Sequence, residues 1–262
     1  MKVVILAGGL GTRISEESHL KPKPMIEIGE RPILWHIMKI YSHYGFHEFV
    51  ICLGYKGNLI KEFFADYYFH MSDVTFDLTR GNEMTIHNNV AEPWKVTLVD
   101  TGLQSMTGAR LSRVRRYLDG GPFMMTYGDG VGDICIPKLL EFHRQTGRKA
   151  TLTGIQLGAR FGVVDVAPDS DIVRGFQEKP REEGAWINGG FMVLEPSVLD
   201  YVHDDSGPFE KVALERLSRE GELAIYRHAG FWQCMDTQRD KELLEGYWNS
   251  GRAQWKVWGD QA

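Results

Sequence analysis

What this chain of 262 residues has little of narrows its class first. It carries three cysteines, Cys52, Cys135 and Cys234, far apart and never in a C-x-x-C pair. An odd, scattered set excludes a disulfide framework and a zinc ribbon and leaves buried thiols as the expectation. Nine histidines include no H-E-x-x-H, so a helical zinc-hydrolase site is excluded, and His43 with His47 reads as a surface pair. No apolar run approaches the roughly 20 residues that span a bilayer, and the N-terminus enters a strand without a charged leader or cleavage site. A cytoplasmic protein with no membrane partner is expected. A basic surplus is also lacking: the formal net charge is −5, which argues against nucleic acid as a partner. The composition, 43% hydrophobic and 25% charged, is that of a soluble globular protein. The length suits one domain over 1–262, with a core to about residue 205 and a C-terminal appendage from about 206.

What is present is concentrated near the start. Val3, Val4, Ile5 and Leu6 form a short apolar run ahead of Ala7, Gly8, Gly9, Leu10, Gly11, Thr12 and Arg13, a strand covered on both faces that breaks into a glycine loop. Glycines let backbone N–H groups approach a ligand and permit φ angles closed to other residues. Arg13 adds a fork matched to phosphate, and Lys21 and Lys23 follow, each before a proline. Cations gathered beside such a loop repel one another unless an anion neutralises them. Two familiar phosphate loops do not fit. A P-loop needs Gly-Lys-Ser/Thr after its spacer, and the dinucleotide fingerprint needs a third glycine where Ile14 stands.

Strands and helices alternate along most of the length, which predicts an α/β fold: a Rossmann-like, mainly parallel mixed sheet flanked by helices. Strands are expected at 48–53, 96–100, 123–127, 151–157, 172–176 and 187–194. Helices are expected from Pro32 to the stop at Gly45, and over 57–69, 108–118, 137–146, 209–219 and 237–248. Residues 74–87 depart from this rhythm with period-two patterning around Gly81 and Asn82, an inserted β-hairpin serving as a subunit contact or a lid.

Ligands of open parallel sheets sit beyond the carboxyl ends of the strands, so polar residues there take priority. Asp129 follows an apolar strand and lies between Gly128 and Gly130, a bared carboxylate suited to Mg²⁺, which takes one or two acidic ligands and completes its shell with phosphate and water. Asp236 precedes an expected helix and reads either as its N-cap or as a second carboxylate on the same metal. Glu178 and Lys179 form an acid and base pair after a strand, fit for a sugar phosphate or for plain solvation. Asn188, before Gly189 and Gly190, reads a hydroxyl or shapes a bulge. No Ser-His-Asp or Cys-His arrangement offers a nucleophile.

In order along the chain, LAGGLGTR, KPKPM, YGDG, EKP, INGGF and FWQCMDT resemble the sugar-1-phosphate nucleotidylyltransferases, and ILWHIMKIYSHYG, HMSDVTF and EPWKVTLVDTG resemble the family's cytidylyl-transferring branch. The resemblance implies that CTP and α-D-glucose 1-phosphate react to give CDP-glucose and pyrophosphate, a step toward CDP-linked 3,6-dideoxyhexoses of lipopolysaccharide O-antigen. It implies a homo-oligomer, a trimer or hexamer. By position it places the nucleotide on residues 6–13, Lys23, Ser105, Arg110 and Gly128, catalysis on Arg13, Lys23 and Asp129, Mg²⁺ on Asp129 and Asp236, and the sugar phosphate on Glu178, Lys179 and Asn188. One departure is Ala109, where the family usually has a second glycine after Gly108. Uridylyl, thymidylyl and guanylyl transfer use the same phosphate machinery. A non-catalytic nucleotide-binding subunit is the alternative of another class, and an NAD-dependent oxidoreductase is disfavoured by Ile14.

Overall fold

The computed structural model describes residues 1–11, 14, 17, 19–156, 163–166, 173–177 and 186–259. Strand β1 (Val3–Leu6) is enclosed on both sides, and its alternation decides which layer each side chain serves. Val3 and Ile5 join one core and Val4 and Leu6 another, as a period of two requires. A short ladder of β2 (Glu27–Ile28) with β3 (Arg31–Pro32) feeds α1 (Ile33–His43). Every residue from Ile33 to Tyr41 is buried, because α1 lies in the same core as the sheet and as the C-terminal Trp255, with Trp248 and Trp258 packed alongside.

The chain continues through β4 (Glu48–Leu53), α2 (Gly57–His70), the hairpin β5 (Ser72–Asp77) with β6 (Glu83–Asn89), β7 (Lys95–Asp100), α3 (Thr107–Arg113) and β8 (Phe123–Tyr127). Then come β9 (Gly130–Gly132), α4 (Ile136–Thr146), β10 (Ala150–Gln156), the ribbon β11 (Val163–Val166) with β12 (Val173–Gln177), and β13 (Trp186–Leu194). A π turn at Glu210–Leu214 runs into α5 (Glu215–Arg219), followed by β14 (Leu223–His228), β15 (Trp232–Cys234) and α6 (Gln238–Asn249).

Seven strands form the central sheet in the order β14-β10-β13-β8-β1-β4-β7. β8, β1, β4 and β7 are parallel neighbours, β13 runs against both of its neighbours, and β14 is parallel to β10. The mainly parallel mixed sheet expected from the alternation is therefore present. The hairpin expected over 74–87 is present too, as a separate two-stranded sheet. Three details differ. The helix expected over 108–118 ends at Arg113, after which the backbone tightens into a 3-10 turn at Arg115–Tyr117. The stretch from 206 does more than append, since β14 extends the sheet and Trp255 is fully buried in its core. Strands β9 and β15 pair with each other outside the main sheet. Among the described residues no helix is long and apolar enough to cross a membrane.

Candidate active site

β1 has β4 on one side and β8 on the other, so successive connections leave it in opposite directions, and a crevice opens at its carboxyl end. There a cleft of about 380 Å³ is lined by residues 6–11, Lys23, Pro24, residues 105–107, Arg110 and residues 127–129. The folding thus gathers Leu6, Ala7, Gly8, Gly9, Leu10, Gly11, Lys23, Ser105, Arg110, Gly128 and Asp129 around one space. Thr12, Arg13, Glu178 and Lys179 lie outside the described residues.

The three loop glycines divide the two expected reasons, a special φ and an open backbone, between them and add a third, close packing. Only Gly11 has a positive φ, +66°. Gly8 is barred from a side chain by packing, because a Cβ there would meet Arg110 Nη1 at 2.1 Å. Gly9 lines the cleft with nothing within 4 Å of the place a Cβ would take, which leaves its backbone open to a ligand.

Arg110 explains the constraint on Gly8. Its side chain is buried, and its guanidinium donates to Leu53 O at 2.9 Å, Thr101 Oγ1 at 2.8 Å and Gly8 O at 2.8 Å. Burial lowers its pKa from the usual arginine value. The residue read as a nucleotide contact is therefore committed to bracing the glycine loop against β4 and the end of β7. Ser105 stands nearby and accepts from Arg113 Nη1 at 2.7 Å. Ala109, the departure from the family pattern, is buried in α3 and is absent from the cleft wall, so its methyl group does not crowd the space.

Lys23 follows from its two prolines. Pro22 is extended, and Lys23–Met25 form a 3-10 turn with Pro24 and Met25 buried. Pro24 packs so near Gly128 that a Cβ on that glycine would stand 3.1 Å from Pro24 Cγ. The lysine is thereby aimed into the cleft, and its ammonium lies 2.7 Å from Asp129 Oδ2 and 2.5 Å from Asp236 Oδ1. Burial works against its charge, but Asp129 and then Asp236 outweigh that, and its pKa is raised from the ordinary lysine value. Lys21, by contrast, turns away to an exposed pairing with Glu27.

The two carboxylates are brought together by the β9–β15 pair. Cys234 lies opposite Gly130 in that ladder, and Met235 N donates to Asp129 O at 2.8 Å, so each acid leaves its strand end beside the other. Asp236 is not the N-cap of α6. Thr237 takes that position in a capping box with Asp240, which leaves the Asp236 carboxylate to meet Lys23. Among the described residues no group of three or more histidines, cysteines or acids converges on a metal position. Asp129 and Asp236 are the residues that could hold a hard cation, one whose other ligands are phosphate and water.

A family model for nucleotidyl transferases matches residues 2–249. The chain belongs to the nucleotidyl transferase family. It is 56% identical over 259 residues to the glucose-1-phosphate cytidylyltransferase of Salmonella typhimurium, covering 98% of this chain and 100% of that one. It is 43% identical, with the same coverage, to the probable glucose-1-phosphate cytidylyltransferase of Bacillus subtilis. Among solved structures, HddC from Yersinia pseudotuberculosis shares the fold with a TM-score of 0.66 at 22% identity, covering 94% of this chain and 99% of that one.

Within this nucleotidyl transferase, Asn188 stands one residue back from the cleft. Its Nδ2 donates to the Tyr127 hydroxyl at 3.4 Å, and its Oδ1 accepts from Gly190 N at 2.9 Å. Tyr127, a cleft residue that sequence reading passed over, also donates to Glu210. Burial and the Glu210 charge push the Tyr127 phenol far above its usual range, so it remains a neutral donor. Its position, two residues ahead of Asp129 at the end of an apolar strand, was the available signal. Glu210 had none, since it sits among the ordinary charges of a helical segment.

Proposed function

We propose that this chain transfers a cytidylyl group from CTP to α-D-glucose 1-phosphate, giving CDP-glucose and pyrophosphate. The observation that carries the reading is the 56% identity along 98% of the chain to a glucose-1-phosphate cytidylyltransferase. The cleft supplies parts suited to such a transfer. A sugar-phosphate oxygen attacks the α-phosphorus in line, and because that oxygen is already ionised near neutral pH, neither a general base nor a covalent intermediate is needed. Positioning and charge stabilisation supply the acceleration.

In this reading the backbone of residues 8–11 wraps the departing pyrophosphate, held in place by Arg110 through the Gly8 carbonyl. Lys23 keeps Asp129 and Asp236 in place in the free protein and presents its charge to the phosphate under attack when substrates fill the cleft. Asp129 and Asp236 fit Mg²⁺, which when bound would offset the repulsion between two anionic substrates. Within the ion-pair cluster itself, two carboxylates and one ammonium leave one negative charge for a divalent cation to meet. Ser105, Met106 and Thr107 line the nucleotide side, while Asn188 acts on the sugar side through Tyr127. Arg13 on the pyrophosphate, with Glu178 and Lys179 on the sugar phosphate, complete the proposal from the family pattern. It extends to a cytoplasmic homo-oligomer, a trimer or hexamer, supplying nucleotide sugar for O-antigen.

Pyrophosphate release with each nucleoside triphosphate, glucose 1-phosphate and Mg²⁺ tests the reading. Turnover with CTP is expected. Activity confined to another triphosphate overturns the cytidylyl assignment, and silence with all four overturns the enzyme.

A further inference from the structure

Glu210 belongs to none of the motifs above, yet two residues that line the cleft converge on its carboxylate. Oε1 accepts from the Tyr127 hydroxyl, and Oε2 accepts from Thr107 Oγ1 at 3.2 Å. Thr107 Oγ1 is itself fixed, since it accepts from Phe209 N at 2.7 Å. Tyr127 carries the link onward, because its hydroxyl accepts from Asn188 Nδ2 at 3.4 Å. One carboxylate therefore ties the segment 105–107, at the start of α3, to the β8 end and to β13. The carboxylate is itself anchored: Glu210 opens the π turn Glu210–Leu214, Phe209 before it is fully buried, and Ala213 and Leu214 are buried within it. A π turn gives up ordinary helical hydrogen bonding and recurs at functional sites.

We propose that Glu210 is a positioning residue that sets the spacing between the nucleotide side of the cleft, through Thr107, and the sugar side, through Tyr127 and Asn188. The inference rests on the two-substrate reaction proposed above. Displacements near 1 Å in reactant alignment cost large rate factors, so a strut shared by both halves acts on turnover as well as on binding.

The test measures KM for CTP and for glucose 1-phosphate, kcat, and thermal midpoint in four variants. Tyr127→Phe is expected to raise KM for glucose 1-phosphate about fivefold or more and leave that for CTP within about twofold. Thr107→Val is expected to do the reverse. Glu210→Ala raises both and lowers kcat about tenfold; its midpoint also falls, since two hydrogen bonds to a carboxylate are lost, but the KM changes persist at temperatures where the variant is fully folded. Glu210→Gln separates positioning from structure. Its amide oxygen still accepts from Tyr127, but its NH₂ faces a Thr107 hydroxyl that needs an acceptor, so CTP binding suffers and the sugar-phosphate KM does not. In the Glu210→Ala, Tyr127→Phe double variant the sugar-phosphate loss equals that of Glu210→Ala alone.

The proposal is overturned by a Glu210→Ala enzyme with both KM values within about twofold of wild type, by losses that multiply in the double variant, or by losses that vanish at temperatures well below the variant's midpoint. Equilibrium binding of CDP-glucose and of CTP to the same variants reads the two sides without turnover. A wild type that fails to convert CTP and glucose 1-phosphate overturns the reaction instead, a result distinct from any pattern among the variants.

Discussion

Replacing Gly8 with alanine tests why the loop after β1 is glycine-rich, because the structure gives that residue a steric reason and not a conformational one. The new Cβ would stand 2.1 Å from Arg110 Nη1 and 2.4 Å from Cζ. Ordinary contact between carbon atoms is about 3.5 Å, so the guanidinium must retreat by more than about 1 Å. Arg110 is 4% exposed and holds three acceptors at 2.8–2.9 Å, so it has no free direction of travel. Overpacking costs about 1–3 kcal/mol, and losing one charge-assisted bond, the one to Gly8 O, adds about 1.5–3 kcal/mol. Their sum, about 2.5–6 kcal/mol, corresponds in a chain of this size to a fall of about 5 °C or more in the thermal midpoint. Gly9→Ala is the control. With nothing within 4 Å of its Cβ, it should hold stability within about 0.5 kcal/mol and still lose activity, since the methyl narrows the backbone approach to the cleft. Thermal and urea unfolding, each with and without CTP, measure both. A Gly8→Ala midpoint within about 2 °C of wild type, or a Gly9→Ala loss of the same size, would refute the reasoning.

Lys23→Ala and Asp129→Asn are each expected to fold and to lose about a hundredfold in turnover, about 3 kcal/mol of transition-state stabilisation, measured by pyrophosphate release. Because the folded pKa of Lys23 is raised, the stability it contributes is fully present below the ordinary lysine value and is lost as pH climbs through the raised one. Lys23→Met should remove that alkaline limb from a series of urea midpoints. His36 is buried neutral with its pKa lowered to about 4, accepting from Trp255 Nε1 at 3.4 Å and meeting Ile28 O at 2.8 Å. The unfolded chain takes up this proton first, so stability should fall between about pH 6.5 and 4 by up to about 3 kcal/mol, and His36→Asn should flatten that slope. Burial pushes the Cys52 thiol up to about 12, and native protein should leave Cys52 unlabelled by a thiol reagent until it is unfolded, which peptide mapping resolves.

The parallel half of the fold was legible because β1, β4 and β8 are dense apolar runs and α1 and α2 carry unbroken helical periodicity. Asp129 was legible because an apolar strand ends in glycines at that point. Three features were not. β9 and β15 are three residues each, too short to show a period, and their pairing joins segments a hundred positions apart. The half-buried edge strand β14 has no clean alternation. The family resemblance places Arg110 as a nucleotide contact, and only tertiary packing turns it toward carbonyl oxygens and the Thr101 hydroxyl. Thr237 and Asp240, at capping-box spacing, did carry a signal that would have released Asp236 from its N-cap reading.

The β9–β15 clip also fixes when this protein acquires its chemistry. Lys23 and Asp129 are 106 positions apart and Lys23 and Asp236 are 213 apart, yet all three meet at one point. During synthesis the glycine loop and its lysine are made well ahead of the second acid, which is added 213 positions after Lys23. A nascent chain stalled before Trp232 carries the glycine loop, Lys23 and Asp129 but lacks the second carboxylate. The Lys23 cluster therefore reports that Asp236 has been made and that β15 has docked on β9.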